Sequence, residues 1–140
     1  MKIMAIDYGD ARTGLAVCDP TEFLASPAGV IYEKVFSKTV EKIIACAHEQ
    51  RAEMLVVGLP KNMDGTEGAR AEKCRKLAQQ LEESSKLPVT LWDERRSTVT
   101  AASILSETGV FGKKRKQQID AVAAVVILEA FLEHRRKGNH

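Results

Sequence analysis

Short apolar runs, each broken by an acid, a glycine or a proline, alternate along this chain with longer stretches in which apolar residues recur every three or four positions. Ile3-Met4-Ala5-Ile6 is continuously apolar and stops at Asp7, the pattern of a strand covered on both faces. A turn with Gly9, Asp10 and Arg12 leads into Gly14-Leu15-Ala16-Val17-Cys18, which predicts a second strand returning antiparallel and ended by Asp19-Pro20. A third strand is predicted over Gly29-Val30-Ile31-Tyr32. Ser37 then stands as the cap of a helix with Val40, Ile43, Ile44 and Ala47 on one face. Met54-Leu55-Val56-Val57-Gly58 predicts a buried fourth strand. The turn-rich stretch from Leu59 to Thr66 leads to a helix through about Glu83, with Ala71, Cys74, Leu77, Ala78 and Leu81 as its apolar positions. Pro88-Val89-Thr90-Leu91-Trp92 reads as a fifth strand. Two more helices are predicted, from about Ser97 to Thr108 and from about Gln118 to Arg135, with Gly109 and Gly112 in the loop between them.

This order predicts an α/β fold with a five-stranded mixed sheet flanked by helices. Strands 1–3 are antiparallel, and right-handed crossovers make strands 1, 4 and 5 parallel. A length of 140 residues suits one domain, residues 1–140. No apolar run approaches the roughly twenty residues of a membrane span, and the N-terminal run is too short for a signal-peptide core. Cys18, Cys46 and Cys74 contain no C-x-x-C pair, so neither a disulfide framework nor a zinc site is expected and a reducing cytoplasm fits.

The carboxyl ends of parallel strands share the sheet edge at which open α/β folds usually bind ligands. Asp7, the Gly58–Gly65 loop and Asp93-Glu94 fall on that edge. A lone acid at a strand end is most often a turn residue, and an acid before a helix is most often a cap. Of Asp93 and Glu94, side chains at adjacent positions face opposite ways, so one turns along the edge; spacing alone leaves open which. Asp120 is expected in the first turn of the most apolar helix, with Ala124 and Ile127 on its face. Interaction with a helix N-terminus gives roughly 0.3–1 kcal/mol, less than burial of an unpaired carboxylate costs, so a partner cation is expected. Converging carboxylates stay ionised together only around a cation, and hard oxygen ligands without nearby histidine or cysteine favour magnesium or manganese. Such a site suits in-line displacement at phosphorus, with two metals about 3.5–4 Å apart.

Asp7-Tyr8-Gly9, Arg12-Thr13-Gly14-Leu15-Ala16-Val17, Gly58 through Glu67, Asp93-Glu94-Arg95-Arg96-Ser97-Thr98 and Asp120-Ala121-Val122-Ala123-Ala124 together resemble the YqgF-type bacterial proteins. That family is described as candidate pre-16S rRNA nucleases or Holliday-junction-resolvase-like proteins with a ribonuclease H-like fold. The resemblance covers nearly the whole chain. It implies Asp7, Glu94 and Asp120 as catalytic metal ligands for Mg2+ or Mn2+, and it implies cytoplasmic maturation of the 5′ end of 16S rRNA, with ribosomal precursor particles as partners. Many ribonuclease H-like nucleases carry an acid at the end of the fourth strand. Here that strand ends Val57-Gly58-Leu59-Pro60, which leaves Asp64 in the loop as a further candidate for the second ligand.

Charge then adds a partner. Residues 1–94 carry twelve basic and fifteen acidic side chains and residues 95–140 carry nine and four, so a net charge of +2 hides a basic C-terminal third. Lys113, Lys114, Arg115 and Lys116 are expected in a loop just before Asp120. Such a run is most often simply solvated; beside a phosphodiester site it suits backbone contacts that read no sequence. Arg12, Asn62 and Arg95 are lesser candidates for phosphate contact. The expected function is a metal-dependent nuclease acting on structured nucleic acid, pre-rRNA first. A resolvase of four-way DNA junctions and a non-catalytic RNA-binding assembly factor are the alternatives. No exposed apolar interface is evident in the pattern, so a monomer or weak dimer is expected.

Overall fold

Strand β1 (Ile3–Asp7) occupies the centre of a five-stranded sheet. The other strands are β2 (Arg12–Cys18), β3 (Ala25–Tyr32), β4 (Met54–Leu59) and β5 (Val89–Asp93), and the order is β3-β2-β1-β4-β5. The computed structural model describes residues 1–96 and 112–138, with side chains for residues 1–95 and 121–138. β1 pairs antiparallel with β2, and β2 with β3; β1 pairs parallel with β4, and β4 with β5. The mixed sheet expected from the sequence is thus observed strand for strand. Helices α1 (Phe36–Glu49), α2 (Ala69–Ser85) and α3 (Gly112–Gly138) and a 3-10 turn over Glu94–Arg96 complete the described elements.

The alternation of side chains across the sheet sorts the core into two layers. Met4 and Ile6 of β1, with Leu55 and Val57 of β4, pack against Val40, Ile43 and Ala47 of α1 and Cys74, Leu77 and Leu81 of α2. Ile3 and Ala5, with Val56 and Trp92, face the other way onto Ala124, Ile127, Leu128, Phe131 and Leu132 of α3. Central strands buried on both sides need apolar residues at every position, which is why β1 and the first half of β4 read as unbroken runs. Each fully buried Leu or Ile contributes about 1.5–3 kcal/mol. Trp92 meets the Phe131 ring edge-on, with centroids 5.8 Å apart, and this contact ties the end of β5 to α3.

Several expectations are corrected. α1 starts at Phe36 with Val35 as its cap residue, so Ser37 lies inside the helix. The chain turns earlier because the Glu33 carboxylate accepts the Lys34 and Val35 N–H groups and binds Lys42 at 3.0 Å. β3 begins at Ala25 rather than Gly29; Pro27 and Gly29 fit because the strand is at an edge, where its pairing with β2 shifts between Leu15 and Ala16. α3 begins at Gly112, so Lys113 to Lys116 are helical rather than a loop and Asp120 is not in the first turn. Asp120 therefore gains no helix N-terminal stabilisation, which acts only over the first turn. The helix expected over 97–108 lies outside the described residues.

Candidate active site

Parity along the strands decides which acids meet. Asp7 continues the Ile3–Ala5 row, Gly58 the Val56 row, and both rows face α3, while Glu94, just past the end of β5, opens a 3-10 turn over Glu94–Arg96 that brings its side chain to Gly58. Asp93 has the opposite parity. Gly58 pairs with Trp92 and Leu59 with Asp93 in the parallel register, so the end of β5 lies beside the end of β4. A Cβ placed on Gly58 would come 3.1 Å from Glu94 Cδ, 3.2 Å from Glu94 Cγ and 2.6 Å from Ile127 Cδ1. The Glu94 side chain therefore lies over the bare backbone of Gly58. A side chain at position 58 would displace it.

The two adjacent acids end in opposite electrostatic states. Burial first, and then the Asp7 carboxylate, push Glu94 from an ordinary 4.5 up to about 7, against the opposing pull of Arg70. Asp93 is held down at about 2, chiefly by hydrogen bonding to Arg95. Arg95 Nη2 donates to Asp93 Oδ2 at 2.7 Å, its Nε reaches both carboxylate oxygens at 3.1 Å, and its backbone N–H donates to Oδ1 at 3.0 Å. Asp93 thus fixes a loop, while Glu94 faces Asp7. The other expected second ligand, Asp64, accepts from the Thr66 N–H at 3.0 Å and its hydroxyl at 2.7 Å, and so closes a turn.

The phosphate-contact candidates divide similarly. Arg95 is paired with Asp93 and reaches the carbonyls of Asn62 and Met63 at 3.4 and 3.5 Å. The Asn62 side-chain amide donates to Thr66 Oγ1 at 2.8 Å, and its backbone exchanges bonds with Thr66 and Gly65. Both residues brace the loop after β4. Arg12 opens β2, opposite Tyr32 of β3. The Lys113, Lys114, Arg115 and Lys116 backbone is in the first turns of α3, and their side chains lie outside the described residues.

One cation at this edge has no counterpart among the residues singled out by sequence. Arg70, in the first turn of α2, donates from Nη2 to the Tyr8 carbonyl at 2.7 Å, immediately after Asp7. The signal available was a positive charge placed at a helix N-terminus, where the helix dipole disfavours it. Gly58 stands in the sequence at the ligand edge and where related nucleases carry an acid, and its bare backbone is what admits Glu94.

Asp7 and Glu94 offer oxygen donors of the kind hard divalent cations take, and the Glu94 carboxylate is held part-buried beside a second negative charge, where a cation would stabilise both. The residues fit such an ion. Among the described residues no group of three potential ligands assembles, and the Asp120 side chain lies outside them. Ala124 and Ile127, one and two turns beyond Asp120 on its helical face, are buried at 0% and 2% exposure, and Ile127 packs at Gly58.

Comparison with known proteins gives this geometry a context. Residues 1–134 match the family RuvX, described as Holliday junction resolvase. A protein of Halothermothrix orenii, provisionally named a pre-16S rRNA nuclease, is 44% identical over 137 residues, covering 98% of both chains. One of Lachnospira eligens with the same name is 41% identical, covering 98% of this chain and all of that one. Among solved structures, Thermus thermophilus RuvC in complex with a Holliday junction substrate superposes with a TM-score of 0.68 at 15% identity, covering 99% of this chain and 96% of that one. Fowlpox virus resolvase bound to Holliday junction DNA gives 0.61 at 8% identity, covering 96% and 98%. At such identities the likeness concerns the fold, a ribonuclease H-like sheet.

Proposed function

Because the chain belongs to the RuvX family, we propose that it is a nuclease hydrolysing phosphodiester bonds in structured nucleic acid, with Asp7, Glu94 and Asp120 as its acids. The observation that carries the assignment of residues is the seating of Glu94 over Gly58 toward Asp7. The substrate is the 5′ end of pre-16S rRNA, in keeping with the names of the relatives, and the reaction belongs to the cytoplasm, on ribosomal precursor particles. No described helix is long and apolar enough to cross a membrane. The family's description favours a second reading, cleavage of four-way DNA junctions by the same acids.

Asp7, Glu94 and Asp120 would hold Mg2+ or Mn2+, which would supply an activated water and charge stabilisation at the leaving oxygen. The chain's own contribution is placement. The end of β1 and the 3-10 turn directly after β5 carry the two carboxylates, Gly58 clears the space between them, and Trp92 and Ile127 keep the floor apolar. Lys113, Lys114, Arg115 and Lys116, on the same helix as Asp120, provide sequence-independent attraction for the backbone. One ribonuclease H-like domain, residues 1–140, suffices for this work.

The test is incubation of precursor 16S rRNA and of a four-way DNA junction with wild-type protein and Asp7→Asn, in magnesium and in manganese. Metal-dependent cleavage of the RNA is expected from wild type alone. If Asp7→Asn cuts as well as wild type, the acids have been misassigned; if only the junction is cut, the substrate is DNA.

A further inference from the structure

We propose that Arg70 is a phosphate-binding residue of this site, taking a non-bridging oxygen of the phosphodiester that lies at Asp7 and Glu94. The inference rests on the nuclease reading above and deepens it. A phosphodiester approaching two carboxylates is repelled unless fixed positive charge meets it, and four described cations near this edge are engaged with carboxylates, two of them sharing Glu67. Arg95 pairs with Asp93 at 2.7 Å, Arg75 with Glu67 at 2.6 Å and Lys73 with Asp10 at 3.2 Å, while Lys61 lies 3.8 Å from Glu67. Arg70 differs from these. Its anchor is a neutral carbonyl, that of Tyr8, and among the described residues no carboxylate lies within ion-pairing distance of it. The single bond leaves the rest of a five-donor fork for an anion.

The anchor also fixes where that fork is. Tyr8 lies between Asp7 and Gly9, so the guanidinium is held against the turn that carries the first acid, and a Cβ at Gly9 would be only 3.7 Å from Nη2. Its field is felt at Glu94 and at the Cys74 thiol below, which also senses Asp7 and Asp10. Arg70 is exposed, so its fork is open to a ligand from solvent. It also sits in the first turn of α2, whose cap residue Gly68 supplies no side-chain acceptor, where a cation opposes the helix dipole. A lysine or arginine serving only solubility or helix stability would sit better at the other end.

The experiment compares Arg70→Met, Arg70→Lys and a control, Lys86→Met, at the far end of α2. Binding of a fluorescent RNA hairpin is measured in chelator across a salt series, so that no cleavage is needed for the reading. Arg70→Met should lower the slope of log affinity against log salt by roughly 0.7–0.9, one phosphate contact, while Arg70→Lys and Lys86→Met keep the wild-type slope. In magnesium or manganese, kcat/KM for Arg70→Met should fall roughly 10- to 100-fold, with partial rescue by Arg70→Lys and an unchanged melting temperature. An unchanged slope in Arg70→Met overturns the proposal, as does a lowered slope with wild-type kcat/KM, which would put the contact away from the reacting phosphate. If wild type binds but cuts neither RNA nor DNA, the nuclease reading falls, and the slope comparison still decides for or against Arg70.

Discussion

Replacing Glu94 with glutamine should make the metal-free protein more stable at pH 8 while removing its activity. Glu94 titrates at about 7 in the fold, against an ordinary 4.5. Between those values the native state holds a proton that the unfolded chain has released. Stability from this group is therefore fully present below about 4.5, falls as pH rises through the window, and is fully lost above about 7. A gap of about 2.5 units at 1.36 kcal/mol each sets a ceiling near 3 kcal/mol. The side chain is only part-buried, and solvent screening reduces this to about 1.5 kcal/mol. Glutamine has nearly the same shape and no charge to desolvate, so the variant should match wild type at and below about pH 4, begin to exceed it by pH 5, and exceed it by about 1–2 kcal/mol at pH 8, roughly 5 °C in melting temperature. Thermal or urea unfolding in chelator at pH 4, 5, 6, 7 and 8 measures this, and the wild-type minus variant difference isolates Glu94 from every other titrating group. Saturating magnesium or manganese should lift wild type at pH 8 and leave the variant where it was. A difference that stays flat across pH, or a variant less stable than wild type at pH 8, refutes the argument that Glu94 is held charged at a cost for the sake of the site.

Two further outcomes follow from neighbouring contacts. Gly58→Ala drives a methyl group into Glu94 and Ile127; stability should fall by about 1–3 kcal/mol by calorimetry and cleavage by at least tenfold, whereas wild-type cleavage would mean that Glu94 need not lie over position 58. Asp93→Ala releases Arg95 from the carbonyls of Asn62 and Met63, so amide exchange at Asn62 and Gly65 should quicken while global stability changes by under about 1 kcal/mol; unchanged exchange would show that the loop holds without Arg95.

The sheet was legible because burial on both faces leaves an unmistakable trace, as in Ile3–Ile6 and Leu55–Val57. Where burial weakens, the trace does too. The first half of β3 holds Ser26, Pro27 and Gly29, residues a strand tolerates only at an edge, and the sequence does not announce which strand is at the edge. The start of α3 has no apolar stripe, yet Lys, Arg and Gln are good helix formers, so its basic run continues the helix. Of the candidate site, the closeness of Asp7 and Glu94 was legible in the sequence, and the different surroundings of Asp93 and Glu94 were not. Choosing between Asp93 and Glu94 on residues alone needs the parity of β5 and the position of the Arg95 fork, both tertiary facts. Asn62 and Arg95 read in the sequence as ligand-facing groups because polar loop residues usually are, and the bonds they make within the loop and to Asp93 depend on tertiary placement. Arg70 stayed hidden because its significance depends on the Tyr8 carbonyl, a partner 62 positions away.

The central position of β1 has a consequence in time. Asp7 belongs to the first strand to be synthesised, yet its parallel neighbour β4 comes after a complete crossover, and Glu94 comes after a second one. Contacts of such long sequence separation close late, because the loops between them must be ordered before any pairing repays the entropy. A chain still being made carries one acid on a strand paired only with its hairpin partner β2, without the neighbour that brings Glu94 to it. The proposed site is therefore complete only once β5 has paired and α3, which carries Asp120, has docked on the sheet, so its three acids come together at the end of folding.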